Sequence, residues 1–125
     1  MEDDEEVQEF FRLSQQYLDA AKTSLRSDLI EPAMSNGIHA LELALKAALT
    51  KRTGNEFKTH NVGGEFGKHF RKKLGKEKCR KINRILMKYN FPRYPDQPTP
   101  TEEEVKENIS FISDIIEYDI YNLLG

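Results

Sequence analysis

The chain has 125 residues, of which 38% are hydrophobic and 32% charged, and this length predicts a single domain spanning residues 1–125. Its formal net charge of -2 excludes both a basic nucleic-acid coat and an acidic disordered tail. The sequence has no apolar run long enough to cross a membrane, and it begins with acidic residues where a signal peptide would be basic. We therefore expect a cytoplasmic protein without a membrane segment.

Two amphipathic helices are predicted in the first half of the chain. Apolar residues at spacings of three and four predict a helix from about Glu5 to Arg26. A second helix is expected to begin near Pro32, because proline suits a first turn, and to end near Gly54. Small side chains interleave with its apolar stripe and allow another backbone to approach closely: Ala33, Gly37, Ala40, Ala44 and Ala47. We expect this second helix to be the central one.

Two shorter helices are predicted next. The third starts at about residues 59–61, carries Phe66 and Phe70, and stops at Gly75. The fourth places an apolar side that includes Ile82 opposite a dense set of cations.

The last third of the chain contains a proline-rich connection and one more helix. Four of the ten residues from Phe91 to Pro100 are proline, which is incompatible with a helix interior. Thr101 and Glu104 match a capping box that opens a helix along an isoleucine-rich stripe. The elements together predict an all-α fold, an antiparallel up-and-down bundle of four to five helices.

Positive charge is concentrated in the middle of the chain. Residues 51–93 contain 14 of the 19 lysines and arginines but only three of the 21 acidic residues, a local balance of +11 against -13 elsewhere. Such a face suits phosphate, and the candidate phosphate- or nucleotide-binding residues are His60, Arg71, Lys72, Arg80, Arg84 and Arg93. The alternative is a solvated face that pairs with the protein's own acidic termini or with an acidic partner.

The order of these elements resembles the HEPN domain family, in particular its small stand-alone prokaryotic members. The resemblance is carried by the alanine-rich stretch 33–49, by Thr59-His60 and Phe66 after it, and by Arg93-Tyr94-Pro95-Asp96 before a long C-terminal helix. It implies a bundle of four or five antiparallel helices that forms a homodimer. It also implies a minimal nucleotidyltransferase as partner, in two-protein systems that include toxin and antitoxin pairs.

Many members of the family are metal-independent ribonucleases, in which an arginine is followed after four to six residues by a histidine. None of the three histidines here has an arginine at that spacing. The nearest pairs are Arg52 with His60, which have seven residues between them, and Arg84 with Tyr89, which have four. In the second pair a tyrosine replaces the histidine, and with an ordinary pKa of about 10 tyrosine is a poor base. We therefore favour a nucleotide- or RNA-associated binding module. A ribonuclease with an atypical pair and a purely structural interaction module are the alternatives.

Other polar residues have ordinary interpretations beside chemical ones. His60 falls near the start of the third helix, where it can face an anion or hydrogen-bond a loop carbonyl. Gly63, Gly64 and Gly67 follow no strand and precede no Gly-Lys-Ser/Thr, which excludes a Walker site. Cys79 is expected to be a half-buried structural cysteine. No close histidine and cysteine pairs occur, so no metal or other cofactor is expected.

The last helix has apolar residues on more than one side. Phe111, Ile115 and Tyr118 stand beside the inner stripe of Ile112 and Ile116. This arrangement predicts surface left over for a second subunit and, with it, a homodimer.

Overall fold

The computed structural model describes residues 2–54, 61–89 and 99–125, and these residues form helices and no strands. His60, Arg93 and most of the proline-rich connection lie outside them. The helices in chain order are α1 (Glu2–Arg26), α2 (Ile30–Thr53), α3 (Val62–Leu74), α4 (Lys76–Tyr89), α5 (Glu102–Asp114) and α6 (Tyr121–Leu124), with a π-helical segment (Ile115–Ile120) between the last two. The predicted all-α bundle is confirmed.

A tight turn joins α1 to α2. Asp28 has a φ of +61°, a left-handed conformation that aspartate tolerates better than most residues, and the N–H of Leu29 donates to the carbonyl of Ser24 at 2.9 Å. Because α2 starts at Ile30, Pro32 lies within its first turn, where a missing N–H costs nothing. The two longest helices therefore pack side by side.

The central position predicted for the second helix is confirmed by its burial. Thirteen residues of α2 are buried: Ala33, Met34, Gly37, Ile38, Ala40, Leu41, Leu43, Ala44, Leu45, Ala47, Ala48, Leu49 and Thr50. A Cβ atom added to Gly37 would collide with Cδ1 of Ile109, so glycine is what allows α5 to lie against α2 there. Gly54 ends the helix in the left-handed conformation, with φ of 76°.

α3 and α4 form a helical hairpin joined by Gly75 alone, which has a φ of +98°. Phe66 is fully buried, and its ring centroid lies 4.7 Å from that of Phe70, so both aromatics anchor α3 to the core. Ile82 and Ile85 do the same for α4. The hairpin is thus fastened along its apolar faces, and its cationic faces are left outside.

The predicted capping box at the start of α5 forms only in part. The N–H of Glu104 donates to Oγ1 of Thr101 at 3.1 Å, as expected. The Glu104 carboxylate, however, accepts hydrogen bonds from the hydroxyl of Tyr89 and from Nζ of Lys88. It thereby joins the end of α4 to the start of α5.

The π-helical segment is buried on one side and exposed on the other. Ile115, Ile116 and Ile120 are all buried in the core, whereas Tyr118 is 68% exposed. The expectation that Ile115 belongs to the leftover outer surface is therefore wrong, because Ile115 lies three residues after the buried Ile112 and faces the same side of the helix. Phe111 is partly buried.

Candidate anion-binding site

A groove of about 320 Å³ runs between α3 and α4, and we refer to it as the α3–α4 groove. Its wall on α3 is formed by Gly63, Gly64, Gly67, Lys68 and Arg71, and its wall on α4 by Lys76, Cys79, Arg80 and Asn83. The volume lies within the range of small-molecule sites in proteins. The glycines that lacked a role in the sequence therefore form one wall of a cavity.

The groove follows the helical hairpin along its length. Gly63 meets Asn83 at the end away from the turn, where an added Cβ would lie 2.5 Å from Oδ1 of Asn83. Arg71 and Lys76 flank Gly75 at the turn. With a rise of 1.5 Å per residue, these two ends are separated by roughly 12 Å. The groove is accordingly an elongated slot along the two helices.

The cations of α4 fall on two different faces. Lys78 pairs with Asp119 of the π-helical segment at 3.2 Å, Lys88 pairs with Glu104 at 3.3 Å, and Nζ of Lys81 lies 4.4 Å from the centre of the Phe111 ring. These three side chains hold α4 against the last helix. Lys76 and Arg80, at a spacing of four residues, face the groove.

The groove is lined by positive charge, which is concentrated toward the Gly75 turn. Its cations are Lys68, Arg71, Lys76 and Arg80, and no carboxylate among the described residues lines it. Lys68 reaches Glu65 at 3.2 Å on the exposed side of α3. Within the described ranges, the other three have no ion pair with a carboxylate. Their charges are consequently available to an anion.

Cys79 lies on the wall of this groove and is 6% exposed. Burial raises the pKa of its thiol, while the neighbouring Arg71 guanidinium acts in the opposite direction. The thiol therefore stays protonated at neutral pH and is a weak nucleophile. Cys79 is more buried than the sequence led us to expect, and it contributes packing.

A second cavity lies on the other side of α3, and we refer to it as the α2–α3 depression. It measures about 540 Å³ and is lined by Arg52, Lys68, His69, Phe70, Arg71, Lys72 and Lys73. Lys68 and Arg71 border both cavities. The end of α2 thus contributes one arginine to a surface that α3 otherwise supplies.

The predicted phosphate-binding residues are only partly brought together. Arg71 and Arg80 share the α3–α4 groove, and Lys72 lies in the neighbouring depression. Arg84 is exposed on α4 and lines neither cavity. His60 and Arg93 fall outside the described residues. Lys68 and Lys76 belong to the cationic cluster that the sequence predicts, although they are not among its named binding residues, and sequence reasoning missed Asn83, which carries no charge.

Arg84 and Tyr89 face different sides of α4. Residues five apart on an α-helix point about 140° away from one another. Tyr89 is moreover half-buried, and its hydroxyl donates to Glu104. For the other weak pair, Arg52 is exposed at the end of α2, and its partner His60 lies outside the described residues.

Comparison with known families agrees with this architecture. The family model of the HEPN domain matches residues 7–123, nearly the whole chain. The chain belongs to the HEPN domain family. No match was found among curated proteins or among solved structures.

The membership confirms the family resemblance and supports a nucleotide- or RNA-related module in general terms. In the part of this HEPN domain that the structure describes, no three metal-ligating side chains cluster, and no helix is long and apolar enough to cross a membrane. Both cavities are lined by cations, which are suited to binding phosphate.

Proposed function

We propose that this HEPN domain is a binding module that takes up the phosphates of a nucleotide or of RNA on its α3–α4 face. One observation carries the proposal: four cations line one groove, with no carboxylate among its described residues. Charge-assisted hydrogen bonds from arginine to phosphate are roughly twice as strong as neutral ones. Three of the four, Arg71, Lys76 and Arg80, have no ion pair with a carboxylate within the described ranges.

The two faces of the hairpin support this proposal over the alternative of a merely solvated surface. Lysines that face the bundle are engaged, as with Lys78 and Asp119 at 3.2 Å. Arginines that face the groove, Arg71 and Arg80, are not paired with a described carboxylate. Ion pairs within the protein therefore neutralise lysines on the face of the hairpin toward the last helix. The arginines on the groove face keep their charge.

A direct test is binding of a fluorescent ten-nucleotide single-stranded RNA, with ATP as a competitor, followed by fluorescence anisotropy at several salt concentrations. The double variant R71Q/R80Q should weaken binding by about 30-fold and flatten the salt dependence. The matched control R26Q/K106Q removes two exposed cations elsewhere and should change binding less than about threefold. Equal losses in the two variants, or no binding of either ligand to the unmodified protein, would contradict the proposal.

The proposed module acts as a homodimer. Tyr118 and Tyr121, which are 68% and 62% exposed on the last helix, support a subunit contact there. Light scattering after size exclusion should give twice the chain mass at micromolar concentration, and Y118E/Y121E should give the monomer. A monomeric unmodified protein at all these concentrations would refute the dimer.

We further propose a minimal nucleotidyltransferase as the partner, in a system that resembles toxin and antitoxin pairs. Family membership is the support for this step. A minimal nucleotidyltransferase encoded beside this chain should co-purify with it. Binding that is lost at high salt but unchanged by nucleotide would favour a purely structural interaction module.

The α2–α3 depression favours a second candidate function, a metal-independent ribonuclease with a different pair from those predicted. Arg52 and His69 line the same cavity although they come from different helices. A histidine can take the proton of a ribose 2′-hydroxyl, whose oxygen then attacks the adjacent phosphorus and expels the 5′-oxygen, while an arginine stabilises the developing charge. Purified protein should then cleave RNA, and H69A should abolish cleavage. Intact RNA after prolonged incubation would exclude this function.

A further inference from the structure

The dimensions of the α3–α4 groove limit the ligand it can enclose. A slot roughly 12 Å long, set by the helical rise between its ends, and about 320 Å³ in volume is comparable to a single nucleotide. Each end is defined by the fold, since Gly75 closes the hairpin at one end and Asn83 packs against Gly63 at the other.

Charge is unevenly distributed along the slot. Arg71 and Lys76 flank the Gly75 turn, and Lys68 and Arg80 stand about one turn of helix further on. Among the described residues, no cation lines the end near Gly63. Phosphates are therefore favoured near the turn, and a neutral group is favoured at the other end.

Asn83 supplies the neutral end with a hydrogen-bonding group. Its amide has only one weak contact among the described residues, from Nδ2 to Sδ of Met87 at 3.8 Å. A carboxamide offers one acceptor and a pair of donors, which complement N6 and N7 of adenine together. Guanine presents two acceptors on the same edge and cannot satisfy the carboxamide oxygen.

Gly67 keeps the middle of the slot open. An added Cβ would meet no atom within 4 Å. Glycine at this position lowers the stability of the helix by about 1 kcal/mol relative to alanine. No neighbouring group fills the space that the missing side chain leaves. A ligand that spans the groove would pass over this position.

We propose that the α3–α4 groove is a site for one adenine nucleotide with a di- or triphosphate chain, its phosphates at the Gly75 end and its base against Asn83. The assignment rests on the proposed function and names its ligand. Arg71, Lys76 and Arg80 hold the phosphate chain, the sugar lies over Gly67, and the carboxamide reads the base. Asn83 is the specificity-determining residue.

Isothermal titration calorimetry of the full chain with ADP, pyrophosphate, adenosine, GDP and a ten-nucleotide RNA tests the assignment. ADP should bind at least tenfold more tightly than pyrophosphate or adenosine, since each fragment fills only one end. It should also bind about fivefold more tightly than GDP. The N83A variant should remove this preference for ADP over GDP while leaving pyrophosphate binding unchanged.

The G67L variant provides the steric test. Its side chain enters open space, so the helix should remain folded, but the slot is blocked and ADP affinity should fall by more than tenfold. R80Q should weaken ADP and pyrophosphate alike by about tenfold. The matched control R84Q removes an exposed arginine from the same helix that lines neither cavity, and it should leave ADP binding unchanged.

The outcomes separate this inference from the proposed function. RNA binding that G67L leaves intact, without ADP binding, would overturn the nucleotide site and leave the general binding module standing. Equal affinity for ADP and pyrophosphate, or ADP binding unaffected by G67L, would also overturn it. Absence of binding by every ligand would refute the proposed function itself.

Discussion

Gly37 of α2 and Gly67 of α3 are both glycines inside helices, but their surroundings are opposite. A Cβ on Gly37 would collide with Ile109 of α5, whereas a Cβ on Gly67 would meet nothing within 4 Å. Both residues cost about 1 kcal/mol of helix propensity relative to alanine. At Gly37 that cost is offset by close packing of two helices, and at Gly67 it leaves an open slot.

The difference extends to the regions around the two glycines. α2 is buried along most of its length and contributes mainly aliphatic packing. The α3–α4 hairpin buries one apolar face and turns the other, with its arginines and lysines, to solvent. The central helix therefore sets the stability of this HEPN domain, and the hairpin presents its candidate site.

The largest expected effect on stability is at Gly37, where the side chain of Ile109 occupies the space beside the glycine. Replacing Gly37 by leucine forces four additional carbon atoms between α2 and α5 and should lower the free energy of unfolding by about 3 kcal/mol. Urea denaturation followed by circular dichroism measures the change. The same substitution at Gly67 is the matched control and should not destabilise the fold. A stable G37L protein would mean that α5 is not seated tightly on α2.

Gly63 tests the contact that closes the groove. A Cβ there would lie 2.5 Å from Oδ1 of Asn83 and 3.3 Å from its Cα, so α4 itself must move. The G63A variant should lose about 1.5 kcal/mol of unfolding free energy, because the clash outweighs the gain in helix propensity. An increase in stability would show that the hairpin can widen without cost.

The sequence could predict the helices and the bundle because apolar periodicity and glycine stops are local signals. The boundaries at Arg26 and Gly75 and the hydroxyl cap at Thr101 agree with the structure. It did not predict that Ile115 faces inward, because apolar residues follow one another there and the buried side of the helix is wider than the single stripe of Ile112 and Ile116. Apolar periodicity was therefore sufficient to place the helices but not to assign every residue to the core.

The candidate site was predictable only in part, for a similar physical reason. Arg71 and Arg80 could be nominated by charge, but their convergence depends on the register of α3 against α4. The same is true of Asn83, which has no charge to attract notice. Whether a side chain packs against a helical glycine, as Ile109 does at Gly37, or leaves it open, as at Gly67, depends on residues distant in sequence. A local sequence pattern does not identify those residues.

A substitution at Gly67, which faces open space, should change the free energy of unfolding in the opposite direction to one at Gly37. G67A should raise the free energy of unfolding by about 0.8 kcal/mol, because alanine gains helix propensity and its methyl group touches nothing within 4 Å. Denaturation with urea checks the sign, and G75A is the contrast, since φ of +98° strains any side chain there. A destabilised G67A would indicate that the slot is already closed in solution.

The smallest expected effect concerns the buried hydroxyl of Thr50 on α2. The Oγ1 of Thr50 is buried and has no hydrogen-bond partner among the described residues, whereas Oγ1 of Thr53, one turn later, donates to the carbonyl of Leu49 at 2.8 Å. Replacing Thr50 by valine removes an unsatisfied hydroxyl at similar volume and helix propensity, so the free energy of unfolding should rise by about 0.5 kcal/mol. T53V is the matched control and should lower it by a similar amount, because a satisfied hydrogen bond is lost. If T50V were instead destabilised as much as T53V, the Thr50 hydroxyl would be hydrogen-bonded in solution, and the centre of the bundle would be less dry than its apolar lining implies.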